Sequence, residues 1–197
     1  MEIPCLTGNF KRVVDGQPYF FLVSVISTMH EMKFYQIDTN YLNRLRQIDG
    51  RVPHNKEFIG RKGKSRPYIG VMLSIDNVDY FVPLSSKKKR SSFVVMPIYD
   101  DNNEQIATLM LNNMLPVPPK HRKLLNMEGV RITDPKYFDL LMNELNFLRP
   151  RRQAIKSRCT IIRSVKVEGK NKSQINEKTK EFCLNLLELE EAYKENE

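Results

Sequence analysis

Apolar and polar positions alternate with a period of two over much of the first two thirds of the chain, and this spacing predicts short β-strands. Six segments show it: KFYQID (33–38), YIGVMLSI (68–75), VDYFVPL (78–84), SFVVMPIY (92–99), QIATLMLNNMLPVP (105–118) and LLNMEGV (124–130), the last as a short edge strand. Asp76-Asn77 separates the second and third segments and predicts a tight hairpin turn there. Short strands joined in this way indicate an antiparallel sheet.

Apolar residues at three- and four-residue spacing predict the helices. The first is NYLNRLRQID (40–49), for which Asp38 or Thr39 is a suitable N-cap. The second is DPKYFDLLMNELNFLRP (134–150), where an Asp-Pro pair starts the helix and Pro150 ends or bends it. Basic residues continue through 151–170, and a final helix is expected over 173–193. We therefore predict an α+β fold: a small, strongly curved antiparallel sheet or barrel with several packed helices.

Residues 1–31 differ in pattern from the rest of the chain. The stretch YFFLVSVI (19–26) has about the length of a signal-peptide core, but no cleavage site of small residues comes after it. We interpret 1–31 as an N-terminal extension of unknown role and 32–197 as the main domain, because MKFYQI (32–37) reads as a natural first strand.

Charge narrows the classes of partner. The 197 residues carry a net charge of +9, with a pI of about 9.5, and the mean hydropathy of −0.47 is that of a globular protein rather than a membrane protein. Such a surface favours polyanions, either nucleic acid or anionic lipid, and nucleic acid is the better match because no amphipathic basic helix stands out. The three cysteines and three histidines are scattered, so a reducing cytoplasm is expected, and neither a metal nor a cofactor.

The positive charge is concentrated in two segments. Residues 51–90 hold ten cations against three anions, and residues 149–172 hold nine cations against Glu168 alone, whereas 177–197 is acidic. This distribution predicts a basic face or groove. In an antiparallel hairpin the loop before Tyr68 and the turn after Leu84 lie at the same end, which would place Lys62 and Arg66 near residues 85–90.

FVPLSSKKKR (81–90) is the most distinctive stretch within the first basic segment. A run of four cations is usually a solvated turn. The alternative is that two hydroxyls and several ammonium groups hold one phosphate. If that phosphate belongs to RNA, the ribose 2′-hydroxyl can attack it without a metal, and hydroxyl and ammonium donors stabilise the charge that develops. Aromatic rings near this end of the sheet could stack on unpaired bases, and for Tyr41 core burial and ligand contact are both open.

The order and spacing of three stretches resemble the ToxN/AbiQ family of toxins from bacterial type III toxin–antitoxin systems. They are MKFYQIDTNYLNRL (32–45), RPYIGVMLSIDNVDYFVPLSSKKK (66–89) and FDLLMNELNFLRPRRQAI (138–155). The resemblance implies a MazF/Kid-like, SH3-like curved sheet and a metal-independent endoribonuclease that leaves 2′,3′-cyclic phosphate and 5′-hydroxyl ends. It also implies inhibition by a pseudoknotted antitoxin RNA in a closed toxin–RNA hetero-oligomer, and a role in abortive phage defence.

Carried onto this chain, the family's catalytic group falls on Ser86 and Lys88, with Ser85 in support. The residues expected to bind RNA are Tyr41, Arg66, Lys62, Lys87, Lys89, Arg90, Arg151 and Arg152. Two positions depart from the family: Ser85 stands where a threonine is found, and residues 50–66 lack a tyrosine, whose place Lys62 is expected to take. The alternative function is a non-catalytic RNA-binding module built on a small β-barrel.

Overall fold

The computed structural model describes residues 32–53 and 69–195, together with the backbone of two short strands between these ranges. Residues 32–197 form a compact unit of their own, and the predicted extension 1–31 lies outside the described residues. In chain order the strands are β1 (Phe34–Ile37), β2 (Phe58–Ile59), β3 (Ser65–Arg66), β4 (Ile69–Ile75), β5 (Val78–Ser85), β6 (Val95–Tyr99), β7 (Gln105–Met110), β8 (Leu115–Pro116) and β9 (Arg122–Leu124). The helices are α1 (Thr39–Ile48), α2 (Met127–Thr133), α3 (Pro135–Leu148), α4 (Arg152–Lys166), α5 (Glu177–Phe182) and α6 (Leu186–Lys194).

The α+β prediction is confirmed. One antiparallel sheet has the order β6-β7-β5-β4-β1-β9, β8 also pairs with β5, and β2 and β3 form a separate two-stranded sheet. The predicted hairpin is present: β4 and β5 pair from Ile75↔Val78 to Gly70↔Pro83. Asp76 and Asn77 have φ angles of 48° and 65°, the left-handed pair that a two-residue hairpin turn requires.

The sheet curls strongly without closing. Arg122 on β9 and Asp79 on β5 form an ion pair at 2.7 Å, although β1 and β4 lie between these strands in the sheet order. In a flat sheet three strand spacings would separate them by about 14 Å. The short segment 117–121 also connects β5 with the end of β1. Val117 N donates to Asp79 O at 2.7 Å, and His121 O accepts from Asp38 N at 2.9 Å. The curvature was predicted, whereas a closed barrel is not what the structure has.

Glycine is required at one point of this curved sheet. A Cβ on Gly70 would overlap the carbonyl oxygen of Val82 and the ring of Phe81. The sheet and the helices share one buried apolar cluster, to which Phe34 and Phe81 contribute from the strands and Leu141 and Ile162 from the helices. The helices therefore fix the curvature by packing rather than by strand pairing alone.

A buried polar network attaches two helices to the hairpin. Glu190 on α6 accepts a hydrogen bond from the hydroxyl of Tyr80 and two from the guanidinium of Arg163 on α4, at 2.9 and 3.0 Å. The same guanidinium reaches Asp76 at 2.8 Å. Burial, with the hydrogen bond to Glu190, raises the pKa of Tyr80. This network holds the end of the hairpin that lies away from the cationic turn.

Two predictions of secondary structure, one of a strand and one of a helix, were wrong in detail. Residues 127–130 are helical rather than strand, because the side chain of Asn126 accepts from Gly129 N at 2.9 Å and caps α2. The expected helix over 173–193 is two helices, α5 and α6. Between them Leu184 N donates to Asn112 O and Asn185 N to Asp49 Oδ2, so these two amides bond to other parts of the chain and not within one continuous helix. In the part of the chain that the structure describes, no helix is both long and apolar enough to cross a membrane.

Candidate nucleic-acid cleavage site

The cationic turn, defined as Ser85–Arg90, leaves the end of β5. Ser85 is half-buried as the last residue of the strand, and residues 86–90 are all exposed. The hydroxyl oxygen of Ser85 accepts a hydrogen bond from the N–H of Lys87 at 3.2 Å, which is the pattern of a serine turn. The turn therefore displays one free-standing serine, Ser86, and four cations to solvent.

Side chains from β7 anchor the backbone of this turn. The hydroxyl of Thr108, which is fully buried, donates to the carbonyl oxygen of Lys87 at 2.8 Å. The amide of Gln105 donates to the carbonyl oxygen of Lys89 at 3.1 Å and to the hydroxyl of Thr108 at 3.1 Å. A solvated loop needs no such attachment. The backbone is thus held in place while its cationic side chains face outward.

The second basic segment meets the first at its far end. Arg158 on α4 donates to the carbonyl oxygens of Ser92 and Phe93, the latter at 2.7 Å, and its guanidinium lies 5.5 Å from the centroid of the Phe93 ring. Burial lowers the pKa of this arginine. Ser92 and Phe93 lie just beyond the cationic turn, so Arg158 joins the two basic segments into one surface.

Strand register places further predicted residues toward the same end of the sheet. Gly70 pairs with Pro83, and Gln36 pairs with Ile69, so the end of β1 and the start of β4 lie beside the end of β5. Arg66 ends β3, three residues before β4. Its side chain, and Lys62 altogether, lie outside the described residues, and their contacts stay a prediction.

Tyr41 does not take the role predicted from the sequence. Its side chain is 1% exposed, its hydroxyl donates to Pro116 O at 2.9 Å, and burial raises its pKa. Pro116 pairs with Tyr80, five residues along β5 from Ser85, or about 17 Å in a strand. A base cannot stack on a ring that is already enclosed, so Tyr41 is a core residue here.

The ring next to Tyr41 belongs to His121, a residue that sequence reasoning set aside. The two rings are stacked with centroids 4.4 Å apart, and Arg44 Nη2 lies 3.4 Å from His121 Nε2. Burial and the neighbouring Arg44 lower the pKa of His121. Because 80 residues of sequence separate His121 from Tyr41, only the folded structure shows that the two rings lie together.

Arg151 and Arg152 lie where α4 begins. Arg151 is exposed, donates to Phe147 O at 2.9 Å and lies over the ring of Phe147 at 3.8 Å. Arg152 is the first residue of α4 and is half-buried. Among the described residues no three His, Cys, Asp or Glu side chains lie close enough together to hold a metal ion. What the surface offers a ligand is hydroxyl, ammonium and guanidinium donors, the set that suits a phosphodiester.

Comparisons with known proteins agree with this chemistry. The sequence family described as Toxin ToxN, type III toxin-antitoxin system, matches residues 33–194. Endoribonuclease ToxN of Bacillus thuringiensis subsp. kurstaki is 34% identical over 166 residues, covering 83% of each chain. Endoribonuclease ToxN of Pectobacterium atrosepticum is 27% identical over 174 residues, covering 82% of this chain and 99% of that protein. A solved structure from work on selective toxin inhibition by a non-coding RNA pseudoknot superposes with a TM-score of 0.70 at 33% identity, covering 84% of this chain and 98% of that one.

Proposed function

The chain belongs to the ToxN toxin family of type III toxin–antitoxin systems, and we propose that it is an endoribonuclease whose cleavage centre is the cationic turn. The observation that supports this best is the attachment of that turn: Thr108 and Gln105 hold the carbonyls of Lys87 and Lys89, while Ser86 and Lys88 stay exposed. Fixed donors on a rigid backbone are what stabilise charge in a transition state.

The proposed reaction uses the substrate's own nucleophile. The ribose 2′-oxygen forms a bond to the adjacent phosphorus and loses its proton, the bond from phosphorus to the 5′-oxygen breaks, and the leaving oxygen gains a proton. The products are a 2′,3′-cyclic phosphate and a 5′-hydroxyl. No metal or cofactor takes part in this scheme.

Each residue of the turn has a proposed role. Ser86 and Lys88 contact the phosphate and stabilise its developing negative charge. Ser85 supports them, because its hydroxyl is already committed to shaping the turn through the N–H of Lys87. The other proposed contacts are with RNA phosphates, from Lys62, Arg66, Lys87, Lys89, Arg90, Arg151 and Arg152.

We further propose that a pseudoknotted antitoxin RNA inhibits the protein by occupying this basic surface within a closed toxin–RNA assembly. The acidic residues of 177–197 lie apart from the cationic turn in the sequence, and Glu190, which pairs with Arg163 of the second basic segment, is buried. A cytoplasmic location, a role in abortive phage defence, a MazF/Kid-like and SH3-like architecture of the curved sheet, and a boundary between an N-terminal extension 1–31 and the nuclease domain 32–197 complete the proposal.

The test is to incubate the purified full chain with total RNA in excess EDTA and then to map the fragments and their ends. We expect discrete cuts, with 3′ ends that accept a linker only after the cyclic phosphate is opened and the remaining phosphate is removed. Bound but intact RNA would overturn the proposal in favour of a non-catalytic RNA-binding module. Fragments ending in 5′-phosphate would contradict the 2′-hydroxyl mechanism.

A further inference from the structure

Three planar groups form an aromatic platform on the basic surface: Tyr99 at the end of β6, Phe147 on α3, and Arg151. The rings of Tyr99 and Phe147 are tilted by 52° with centroids 6.1 Å apart. The guanidinium of Arg151 lies over the ring of Phe147 at 3.8 Å from its centroid. Tyr99 is 36% exposed, so part of its ring is open to solvent.

Arg151 is held flat rather than left to move in solvent. Its Nη1 donates to Phe147 O at 2.9 Å, in the turn of 3₁₀-helix, Arg149–Arg151, that Pro150 creates between α3 and α4. One face of the guanidinium rests on Phe147, and the residue is exposed, so the opposite face is open to solvent. An arginine in this state offers a planar cation with little remaining entropy to lose when a second planar group stacks on it.

The platform lies beside the cationic turn. Tyr99 pairs with Gln105 across the β6–β7 ladder, and the side chain of Gln105 reaches Lys89 O on the far side of β7. Two strand spacings therefore separate Tyr99 from Lys89, or about 10 Å. That distance suits a nucleotide one or two positions from a phosphate held by the turn.

Charge favours nucleic acid as the occupant. Arg152 and Lys156 on α4 follow Arg151 and the cationic turn lies beyond β7, whereas the carboxylates nearest in sequence, Asp100, Asp101 and Glu104, belong to the turn that follows Tyr99. Aromatic rings interleaved with cations are typical of surfaces that bind single-stranded nucleic acid, where bases stack on rings or on guanidinium planes and the phosphates meet the charges.

We infer that this platform is a base-stacking subsite for the RNA strand undergoing cleavage, holding a nucleobase one or two positions from the scissile phosphate on the outer face of Arg151 and on Tyr99. This inference rests on the proposed function and adds to it. Contacts to phosphates attract any RNA, whereas a stacked base fixes the register of the strand, that is, which phosphate lies at the cationic turn.

The test uses a short, unstructured RNA with a 2′-deoxy sugar at its cleavage position, so that it binds without being cut. One base at a time is replaced by 2-aminopurine, whose fluorescence falls when it stacks. We expect strong quenching at a single position near the cleavage site. Arg151→Lys should abolish that quenching and weaken binding by about tenfold.

Salt dependence separates stacking from charge. Arg151→Lys keeps the charge, so the slope of log Kd against log salt should not change, whereas Arg151→Gln should reduce it. Arg131→Lys, at an exposed arginine on α2 that pairs with Glu128, is the matched control and should leave both quenching and affinity close to those of the original protein. Tyr99→Leu tests the second planar group, and thermal unfolding of each variant checks the fold.

Outcomes that overturn the inference are distinct. If Arg151→Lys binds the RNA as tightly as the original protein and quenches the 2-aminopurine fluorescence as strongly, the platform is not a base site. Cleavage by the unaltered protein would then still support the proposed function. If Arg151→Lys weakens binding of the antitoxin RNA alone, the platform belongs to the inhibitor and not to the strand being cut. If the unaltered protein cuts no RNA, the proposed function fails whatever the platform binds.

Discussion

The hydroxyl of Thr108 donates to the carbonyl oxygen of Lys87 at 2.8 Å, although 21 residues separate the two in sequence. Thr108 pairs with Ser85 across the β5–β7 ladder, so the anchor lies beside the last residue of the strand that leads into the cationic turn. The bond fixes the peptide between Lys87 and Lys88, and with it the direction in which Lys88 leaves the backbone. Thr108 is therefore a positioning residue for the proposed cleavage centre.

Replacing Thr108 with Val removes this bond with almost no change in volume. We expect single-turnover cleavage to fall by roughly three- to tenfold, the worth of one neutral hydrogen bond, while RNA binding stays nearly unchanged. Thr108→Ser keeps a hydroxyl and should recover most of the rate. Thr160→Val, on α4, is the control, since it removes a hydroxyl that bonds only to Lys156 O within its own helix. Equal losses of binding and cleavage in Thr108→Val would show that the effect is on the fold and not on the turn.

Substitution of Glu190 should lower the free energy of unfolding more than most other single substitutions do. Its substitution by Leu leaves the guanidinium of Arg163 and the hydroxyl of Tyr80 without their buried acceptor. The free energy of unfolding should drop by about 3 kcal/mol in urea titrations. The exposed neighbour Glu191→Leu should change it by less than about 0.5 kcal/mol. The double variant Glu190→Leu/Arg163→Met should be more stable than the sum of its single variants predicts, and strict additivity would argue against a coupled network.

The buried carboxyl of Glu144 should give the protein an unusual dependence of stability on pH. Its carboxyl is 5% exposed, its Oε2 has no hydrogen-bond partner among the described residues, and burial raises its pKa from 4.5 to about 8. Between these two values the folded chain holds a proton that the unfolded chain has released, so stability must fall as pH rises through this range. Glu144→Gln cannot ionise and should lose this contribution.

The measurement for Glu144 is the difference in unfolding free energy between Glu144→Gln and the unaltered protein, taken at about pH 5 and about pH 9. We expect the variant to gain stability relative to the original as pH rises. Using the difference removes the opposite trend from His121, whose lowered pKa costs stability at acid pH. A difference that is constant with pH would mean that Glu144 is ionised in the folded state.

Local patterns predicted those elements that local physics decides. The β4–β5 hairpin was predictable from Asp76-Asn77, because few other residues accept two positive φ angles in a row. The start of α3 was predictable from Asp134, whose side chain accepts from Tyr137 N. Helix α2 was missed because apolar residues in LLNMEGV suit either a strand or a helix, and the Asn126 cap decides between them.

The candidate site was predictable only in part, for the same reason. A run of serines and cations is visible in the sequence, and so is the concentration of charge around it. Thr108, Gln105 and Arg158 are not visible as site residues, because their partners lie 21, 16 and 65 positions away. Tyr41 was open to either interpretation, because its position one turn into a helix fits core burial and ligand contact equally. Only the fold shows that its hydroxyl donates a hydrogen bond to Pro116 O.

Single-turnover cleavage by Ser86→Ala tests the central claim most directly, with Ser91→Ala as the matched loss of a hydroxyl from the same exposed loop. Binding of a non-cleavable RNA is measured in parallel for both variants. We predict that Ser86→Ala cuts at least about a hundredfold more slowly, as when a preorganised donor to a transition state is removed, while its Kd stays within about threefold of the original. Ser91→Ala should cut normally. A Ser86→Ala protein that cleaves as fast as the original would show that the bond is broken elsewhere on the molecule.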